Sequence, residues 1–461
     1  MNKEKPNKCL IFYKKTWWFI KLSLNLQSIL QVNTCFTVYF GSTDISKKLR
    51  ISHKAAILLL LMVLVYPLQG WSQSGDAAVE ELVKMGFENV SCTDTDAERV
   101  YILQNTTYQL QGVGMAKAVD VIQSLGMPND RNCRIVVLDN NIPQYSLVYQ
   151  WHDEDEDGNA DVSRADWEAT YELGDSFKVA SKTKKKNRSL FKTDIVVYPK
   201  VNYRNYVINK IYTFQILVSP AVEVSLWPGN KLTGQVIFPI LNEYGDSYGR
   251  SQIRQGYITL SQDYRWKNLF LTGTFGTFNN MRWGADLQAR YVFKDPRFAL
   301  DGEIAYTGNS WFENWRWKVG PMNTLTWSVG GSFYWPRFNV KFDLHAQQYL
   351  LGERGIHFQF VRQFRYAAIG FYAMKVFEGD AANHGLNGGF RFAINLPPYK
   401  FKRKGYVPRV LVHNINTTYN AGNERYYGKS FAPRADRDFG TENSFNPIFI
   451  KSELLNYLIF K

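Results

Sequence analysis

The chain lacks the features of a helical membrane protein and of several common enzyme classes. Its mean hydropathy is −0.31. Its one strongly apolar stretch, residues 55–68, is shorter than the ~20 residues of a helical membrane span. There is no glycine-lysine phosphate loop and no closely spaced cysteine pair that would hold zinc. These absences argue against a bundle of membrane helices, a phosphate-loop nucleotide-binding protein and a zinc-finger protein.

The short apolar stretch has the pattern of a secretory signal. The basic sequence KKLRISHK precedes it, and the small polar sequence QGWSQS follows it. We therefore predict a signal peptide at residues 51–73, cleaved near Gln73, with a membrane anchor as the alternative. Residues 1–50 show no clear hydrophobic period. We interpret them as a leader outside the fold or as the product of a misassigned start codon.

Removal of this leader changes the charge of the protein. The whole chain has 55 basic and 41 acidic residues and a net charge of +14, and residues 1–73 hold ten of the basic and two of the acidic residues. The remaining chain has 45 basic and 39 acidic residues, a net charge of +6. This modest excess does not indicate nucleic-acid binding.

Cysteine is scarce, with four residues in the whole chain. Only Cys92 and Cys133 remain after the predicted cleavage. An exported pair of cysteines can form a disulfide, and two ordinary buried thiols are the alternative. Neither interpretation gives these residues a catalytic role.

The segment after the signal has the pattern of a small α/β domain, residues 75–150. DAAVEELVKMGF and MAKAVDVIQSLGM have helical spacing, and RVYILQN, CRIVVLDNN and YSLVYQ are typical of strands. Residues 151–192 follow as a charged linker, acidic in HDEDEDGNADVSRADWE and basic in KVASKTKKKNR. Such charge runs are usually solvated.

The acidic part of this linker resembles a calcium-binding loop in spacing alone. Asp153, Asp155 and Asp157 precede Gly158 as in an EF-hand. Arg164 stands where the bidentate glutamate is required, and a cation there opposes metal binding. We predict no metal site and no cofactor.

From residue 193 to residue 396 the pattern is β throughout. In RFNVKFDLHAQ, for example, apolar and polar residues alternate, which gives a strand two unlike faces. About 12 such runs occur, many of them longer than the usual globular strand. If the apolar face meets lipid, the polar face lines a lumen. The residues predicted to face this lumen are Asp286, Arg290, Lys341, Asp343, His345 and Arg362.

The connections between these runs favour a membrane barrel. Tight turns such as WPGN, RWKN and FKDP mostly alternate with longer loops such as NEYGDSYGRSQ. Outer-membrane barrels have short periplasmic turns and longer outside loops. Trp227, Trp266 and Trp335 lie beside the tight turns, as in an interfacial aromatic girdle. We predict a mainly β fold, an antiparallel transmembrane β-barrel with a small N-terminal periplasmic α/β domain. A secreted β-sandwich is the alternative.

Two further segments raise functional questions. The loop WFENWRW carries Trp311, Trp315 and Trp317, whose rings could stack on sugars. The alternative is that this loop packs on the barrel rim and binds no ligand. Residues 397–461 form a basic tail that ends in a predicted helix.

Catalysis has little support in the sequence. A hydrolase of this kind needs a serine with a histidine and an acidic residue in reach. No spacing nominates a serine partner for His345 or His357. We expect these histidines to be polar residues on a water-facing side of the barrel wall, and we expect that the protein is not an enzyme.

Several segments, taken in order, resemble a known family. EELVKMGFENV, RVYILQNTTYQLQGVGMAKAVDVI, GTFNNMRWGADLQARYVF, LLGERGIHFQFVRQF, GLNGGFRFAINLPP and FNPIFIKSEL are similar to the YjbH-type exopolysaccharide biosynthesis proteins of Gram-negative outer membranes, in the version found among Bacteroidetes. The resemblance covers residues 75–460. It implies an outer-membrane barrel with periplasmic α/β parts that acts in secretion or assembly of an extracellular polysaccharide. Larger relatives carry two barrel units, whereas this chain carries one, and no catalytic residues transfer.

Three functional hypotheses follow. The first is a non-enzymatic outer-membrane barrel of a Gram-negative bacterium that supports export or assembly of exopolysaccharide or capsule. Its expected partners are outer-membrane lipid, the extracellular polysaccharide and periplasmic export or assembly proteins. The second is a general diffusion porin or a surface adhesin. The third is a hydrolase acting on glycan or lipid. The resemblance favours the first, because a barrel fold alone does not imply a function.

Overall fold

The computed structural model describes residues 75–151, 162–205, 212–245, 249–313, 316–378, 385–420 and 427–456. The predicted leader and signal peptide, the acidic sequence of calcium-loop spacing and Trp315 lie outside these residues. Among the described residues, no helix is long and apolar enough to cross a membrane.

The N-terminal part is a small α/β domain, as predicted. Its sheet has the order β1-β2-β3-β4-β5, and only the β2–β3 pair is parallel. The helix α2 joins these two strands, because parallel neighbours need a crossover connection. The elements are α1 (Gly75–Met85), β1 (Glu88–Asp94), β2 (Glu98–Gln104), α2 (Gln111–Leu125), β3 (Asn132–Asp139), β4 (Ile142–Tyr149), β5 (Trp167–Thr170) and α3 (Phe177–Ala180).

The described part of the predicted linker belongs to this domain, which differs from our prediction. The strand β5 pairs with β4, and Trp167 is fully buried in the core. Lys186 lies 3.3 Å from Glu80, and Lys192 lies 2.7 Å from Glu88. Burial of the large Trp167 indole stabilises the folded segment, although its charged neighbours favour contact with water. The basic run therefore belongs to the surface of a folded segment.

Within the described part of residues 193–420, the chain forms a closed barrel of 13 strands, which confirms the predicted fold class. The short strands β18 and β19 lie in line along the same edge of β6 and count as one. The barrel strands are β6 (Thr193–Asn205), β7 (Tyr212–Val224), β8 (Asn230–Asn242), β9 (Arg254–Trp266), β10 (Leu269–Phe278), β11 (Arg282–Val292), β12 (Phe298–Glu313), β13 (Arg316–Trp335), β14 (Val340–Gln348), β15 (Arg354–Gln363), β16 (Ala367–Val376), β17 (Asn387–Ile394), β18 (Arg409–Val412) and β19 (Ile415–Asn420).

Closure of the barrel uses one parallel pair. Successive strands are antiparallel, so in a ring with an odd number of strands the first and last must run the same way. Accordingly β19 pairs with β6 in parallel, for example Thr417 with Val201, while β6 pairs with β7 antiparallel. This last strand lies in the segment predicted as a tail. Its sequence INTTYN alternates between Ile415, Thr417, Tyr419 and three polar residues, but over six residues only. The strand is needed because an open barrel edge would leave backbone groups unpaired.

The two faces of the wall differ as the alternation predicts. On β15, Ile356 and Phe358 are exposed on the outside, while Gln359 is buried on the inside. An aromatic row crosses the outer face from strand to strand, with ring centroids 4.8 to 6.4 Å apart. Cross-strand register aligns these rings. The row comprises Phe298, Phe333, Phe342, Phe360, Phe371, Phe390, Tyr419 and Tyr203.

The α/β domain contacts the end of the barrel that carries the tight turns, which we call the inner end. Arg265 donates to the carbonyl oxygens of Pro143 and Gln144 at 3.2 and 2.8 Å. The backbone N–H of Gly229 donates to the Asn140 carbonyl at 2.8 Å. The opposite end, with the loops between β6 and β7, β8 and β9, and β16 and β17, is called the outer end. The α/β domain and the longer loops therefore lie at opposite ends of the barrel.

Candidate functional site

The candidate site is the barrel lumen together with residues 427–446, which we call the lumen segment. At the outer end, Phe431 stacks on Phe278 with ring centroids 5.3 Å apart. The backbone N–H of Ala432 donates to Asn279 Oδ1 at 2.6 Å. Both partners lie at the β10–β11 connection. The segment therefore begins at the outer end.

Farther in, the lumen segment is held by buried ion pairs. Arg434 Nη1 lies 2.8 Å from Asp263 Oδ1 on β9. Asp436 Oδ2 lies 2.8 Å from Lys231 Nζ on β8 and accepts from Arg434 at the same distance. Arg434 is only 4% exposed. A charge of this kind, removed from water, is stabilised only by partners such as these.

The segment leaves the lumen at the inner end. Lys341 Nζ on β14 lies 2.9 Å from Glu442 Oε2. The Gln363 amide on β15 donates to the Gly440 carbonyl at 3.0 Å. The side chain of Arg437 reaches Asp139 of the α/β domain at 2.7 Å. The lumen segment thus spans the barrel from end to end.

A C-terminal helix then docks on the α/β domain. This helix, α4 (Pro447–Asn456), places Ile450 and Leu454 fully buried in the domain core. Lys451 donates to the carbonyl oxygens of Ala165 and Trp167. Burial raises the pKa of the Glu453 carboxyl above its ordinary value, although Arg365 opposes the rise. The tail therefore joins the lumen to the α/β domain through one continuous chain.

Five of the six predicted lumen residues lie on the inward face. Asp286, Lys341 and Asp343 are each no more than 6% exposed. Lys341 Nζ also lies 2.8 Å from Asp343 Oδ1 and so bridges two carboxylates. Arg290 pairs with Asp301 at 3.2 Å, and His345 faces His357 across β14 and β15.

Arg362 does not line the lumen, contrary to our prediction. It shares its face of β15 with Ile356, Phe358 and Phe360, and it is exposed. Its guanidinium lies 5.0 Å from the centre of the Phe364 ring near the inner end. Side chains of a strand alternate between its two faces, and this alternation places Arg362 outside. The prediction rested on the charge of Arg362 instead. A long basic side chain on an apolar face can pack its stem on that face and extend its charged end towards water.

Trp311 and Trp317 of the WFENWRW sequence lie on β12 and β13 at the outer end. Trp317 is half exposed, and its indole N–H donates to Ser310 Oγ at 2.7 Å. Lys318 Nζ lies 6.0 Å from the centre of the Trp311 ring. Trp315 lies outside the described residues. The two described rings are therefore placed where material leaving or approaching the outer end would pass.

The two cysteines do not form the disulfide that the sequence allowed. Cys92 on β1 and Cys133 on β3 are both free thiols. The strand β2 lies between them, and Cys92 pairs with Tyr101 whereas Cys133 pairs with Arg99. Their Cα atoms are therefore more than two strand spacings, ~9.6 Å, apart, which exceeds the ~7 Å limit for a disulfide. Burial raises the pKa of Cys92 from 9.0 to about 12 and that of Cys133 well above its ordinary value. Both thiols are therefore unreactive in the folded domain.

Within the described ranges, no group of three or more His, Cys, Asp or Glu side chains is arranged to hold a metal ion. No protein-family model matches the chain, and no curated protein sequence matches it.

The residues that sequence reasoning missed are those of the lumen segment. Arg434, Asp436 and Glu442 were grouped with a basic tail. The signal that could have found them is the dense run RADRDFGTE, which pairs both signs of charge within a few residues. That pattern becomes informative only when opposite charges such as Lys231 and Asp263 are known to face the same lumen.

Proposed function

We propose that the protein is a non-enzymatic outer-membrane barrel that supports export or assembly of an exopolysaccharide or capsule. The observation that carries this proposal is a closed barrel whose lumen segment continues into α4, a helix that packs in the core of the α/β domain. The aromatic row on the outer face suits lipid, and the polar inner face suits a hydrated polymer. The sequence resemblance to exopolysaccharide biosynthesis proteins supports an extracellular polysaccharide as the transported material.

The geometry suggests how such a barrel would act. Polymer passage requires the lumen segment to move, because it spans the lumen. Its ion pairs, such as Arg434 with Asp263, hold it in place. Its C-terminal end is fixed by Ile450 and Leu454 in the domain core. A periplasmic export or assembly protein that binds the α/β domain would therefore act on the lumen through the tail.

The alternatives draw less support. A general diffusion porin needs an open water-filled lumen, and the lumen segment opposes this. A surface adhesin is favoured by one observation, the exposed Trp317 on the β12–β13 hairpin. That ring suits contact with a glycan under either function. A hydrolase would need a serine beside the lumen histidines His345 and His357, and the hydrogen bonds between described residues include no such pair.

A clean deletion of residues 74–461 tests the proposal. Polysaccharide is compared at the surface, in the medium and in the periplasm, and the deletion strain is complemented with the wild-type chain. Loss outside with accumulation in the periplasm supports a role in export. Loss in all fractions supports a role in assembly. Unchanged polymer in all three fractions overturns the proposal and leaves porin and adhesin roles, which ion conductance and cell-binding assays then separate.

A further inference from the structure

A cavity of about 230 Å³ lies where the α/β domain, the inner end of the barrel and the C-terminal tail meet. Its lining comes from the start of α2, from β6, β7 and β15, and from residues 436–453 of the tail. The volume is far above the ~30 Å³ share of one water and below the ~300 Å³ of the smallest pockets for drug-sized ligands. It therefore suits one small ring.

Two amides of the lining carry oxygens without a hydrogen-bond donor. Gln363 is 8% exposed, and while its Nε2 donates to Gly440, its Oε1 has no partner. Gln109 donates through Nε2 to the Val412 carbonyl at 3.1 Å, and its Oε1 also has no partner. A buried acceptor without a donor calls for a ligand or water that donates.

The start of α2 adds donors to the same lining. Gln111 and Gly112 lie in its first turn, where backbone N–H groups have no partner within the helix. The residue before the helix, Leu110, supplies no side-chain cap. A ligand here must accept hydrogen bonds as well as donate them. A hydroxyl group does both.

The charges of the lining favour an uncharged ligand. Its three carboxylates already have cations nearby: Glu223 and Asp436 lie 3.5 and 2.8 Å from Lys231, and Glu453 lies 3.9 Å from Arg365. Arg365 and His413 also line the cavity. An added anion would compete with Glu453 for Arg365 and meet the other two carboxylates, and an added cation would compete with existing pairs. The rings of Tyr198 and Phe401 supply the flat apolar surface on which sugar rings pack.

We propose that this cavity binds one neutral sugar residue. The inference rests on the proposed function, because it treats the cavity as the place where a unit of the exported polymer is recognised at the inner end. The unpartnered amide oxygens, the uncapped helix start and the aromatic surface together form a site for a polyhydroxylated ring.

The test uses the purified full chain in detergent, with saturation-transfer NMR and calorimetry. Glucose, galactose and N-acetylglucosamine are the neutral probes, and galacturonate is the anionic comparison. Two variants alter the site: Gln363→Met removes the amide, and Ser444→Phe fills the cavity. The matched control is Gln359→Met. Gln359 faces inward on the same strand and accepts from Arg391, but it does not line the cavity.

We expect at least one neutral probe to bind with one site per chain. Binding should weaken at least about tenfold, or ~1.4 kcal/mol, in both site variants and stay unchanged in the control. The proposal is overturned if no neutral probe binds at millimolar concentration, if galacturonate binds as well as galactose, or if the site variants bind like the control. Sugar binding in the purified protein together with unchanged polymer in the deletion strain would retain the site and reject the export function. No sugar binding together with altered polymer in the deletion strain would retain the export function and reject the sugar site, with water filling the cavity.

Discussion

Arg434 Nη1 lies 2.8 Å from Asp263 Oδ1, so a residue of the tail is ion-paired to a barrel strand 171 positions earlier in the chain. Removal of one partner from a buried pair leaves the other charge uncompensated, which costs about 3–5 kcal/mol. We expect Arg434→Ala to loosen the lumen segment. Limited proteolysis should then cut residues 427–446 faster, while the folded barrel still migrates as a compact species on unheated gels.

Arg297→Ala is the matched control for this prediction. Arg297 pairs with Asp295 at 2.6 Å, but both side chains are largely exposed at a tight turn. Exposed pairs contribute only about 0–1 kcal/mol. Equal protease sensitivity of the two variants would contradict the role assigned to the lumen segment.

A second prediction tests whether the outer face meets lipid. Leu344 is 56% exposed on the outer face of β14. If this face lies in a bilayer, Leu344→Arg places a cation in hydrocarbon at a cost of up to about 2–4 kcal/mol. We expect a lower yield of heat-modifiable barrel in the outer-membrane fraction. Leu351→Arg, at a residue 60% exposed in the β14–β15 loop, should assemble normally. Normal assembly of both variants would indicate a water-exposed barrel.

The wall of this barrel could be predicted from sequence, because the inside-outside pattern of a strand is local. Lys341 and Asp343 alternate with Phe342 and Leu344, and the structure separates them accordingly. The same rule, applied strictly, places Arg362 outside with Phe358 and Phe360. Our error there came from giving its charge more weight than its position.

The path of the tail could not be predicted, because its cause is not local. Asp436 lies in the mixed-charge run RADRDFGTE, but that run does not show that its partner is Lys231 on a distant strand. Likewise, β19 closes the barrel because β6 and β17 each have an edge to pair, and the short alternation in INTTYN does not indicate those partners. Pairing and enclosure in three dimensions decide both features.

A third prediction concerns the docking of α4. Leu454 is fully buried in the α/β core, whereas its neighbour Leu455 is 38% exposed. Truncation of a buried leucine to alanine costs about 2–5 kcal/mol, because it removes contacts and leaves a cavity. We expect Leu454→Ala to increase hydrogen exchange in α4 and in the lumen segment. Leu455→Ala should leave exchange near the wild-type level, and similar rates in the two variants would argue against a docked helix.

A fourth prediction follows from the raised pKa values of the two thiols. In the folded domain Cys92 keeps its proton up to about pH 12, whereas in the unfolded chain it ionises near its ordinary value of 9.0. The unfolded state therefore loses its proton first, and the free energy of unfolding should fall as pH rises between these values. At pH 8 we expect maleimide to label neither Cys92 nor Cys133 until denaturant is added. Rapid labelling of the folded protein, or a peptide that joins the two residues, would contradict the structure.

The last prediction concerns a glycine on β10 that lets β9 approach closely, and its glycine partner on β11. Gly276 on β10 and Gly284 on β11 are register partners, and their φ angles are +143° and +148°. A Cβ at Gly276 would lie 2.0 Å from the Ile258 carbonyl oxygen. Side chains are therefore excluded by both the backbone conformation and the space. We expect Gly276→Ala to lower stability by about 1–3 kcal/mol, measured as a lower temperature of barrel unfolding on gels. Gly273→Ala on the same strand has nothing within 4 Å of its added Cβ and should unfold like the wild type. If Gly276→Ala unfolds at the wild-type temperature, the close approach of β9 and β10 is not required for the barrel.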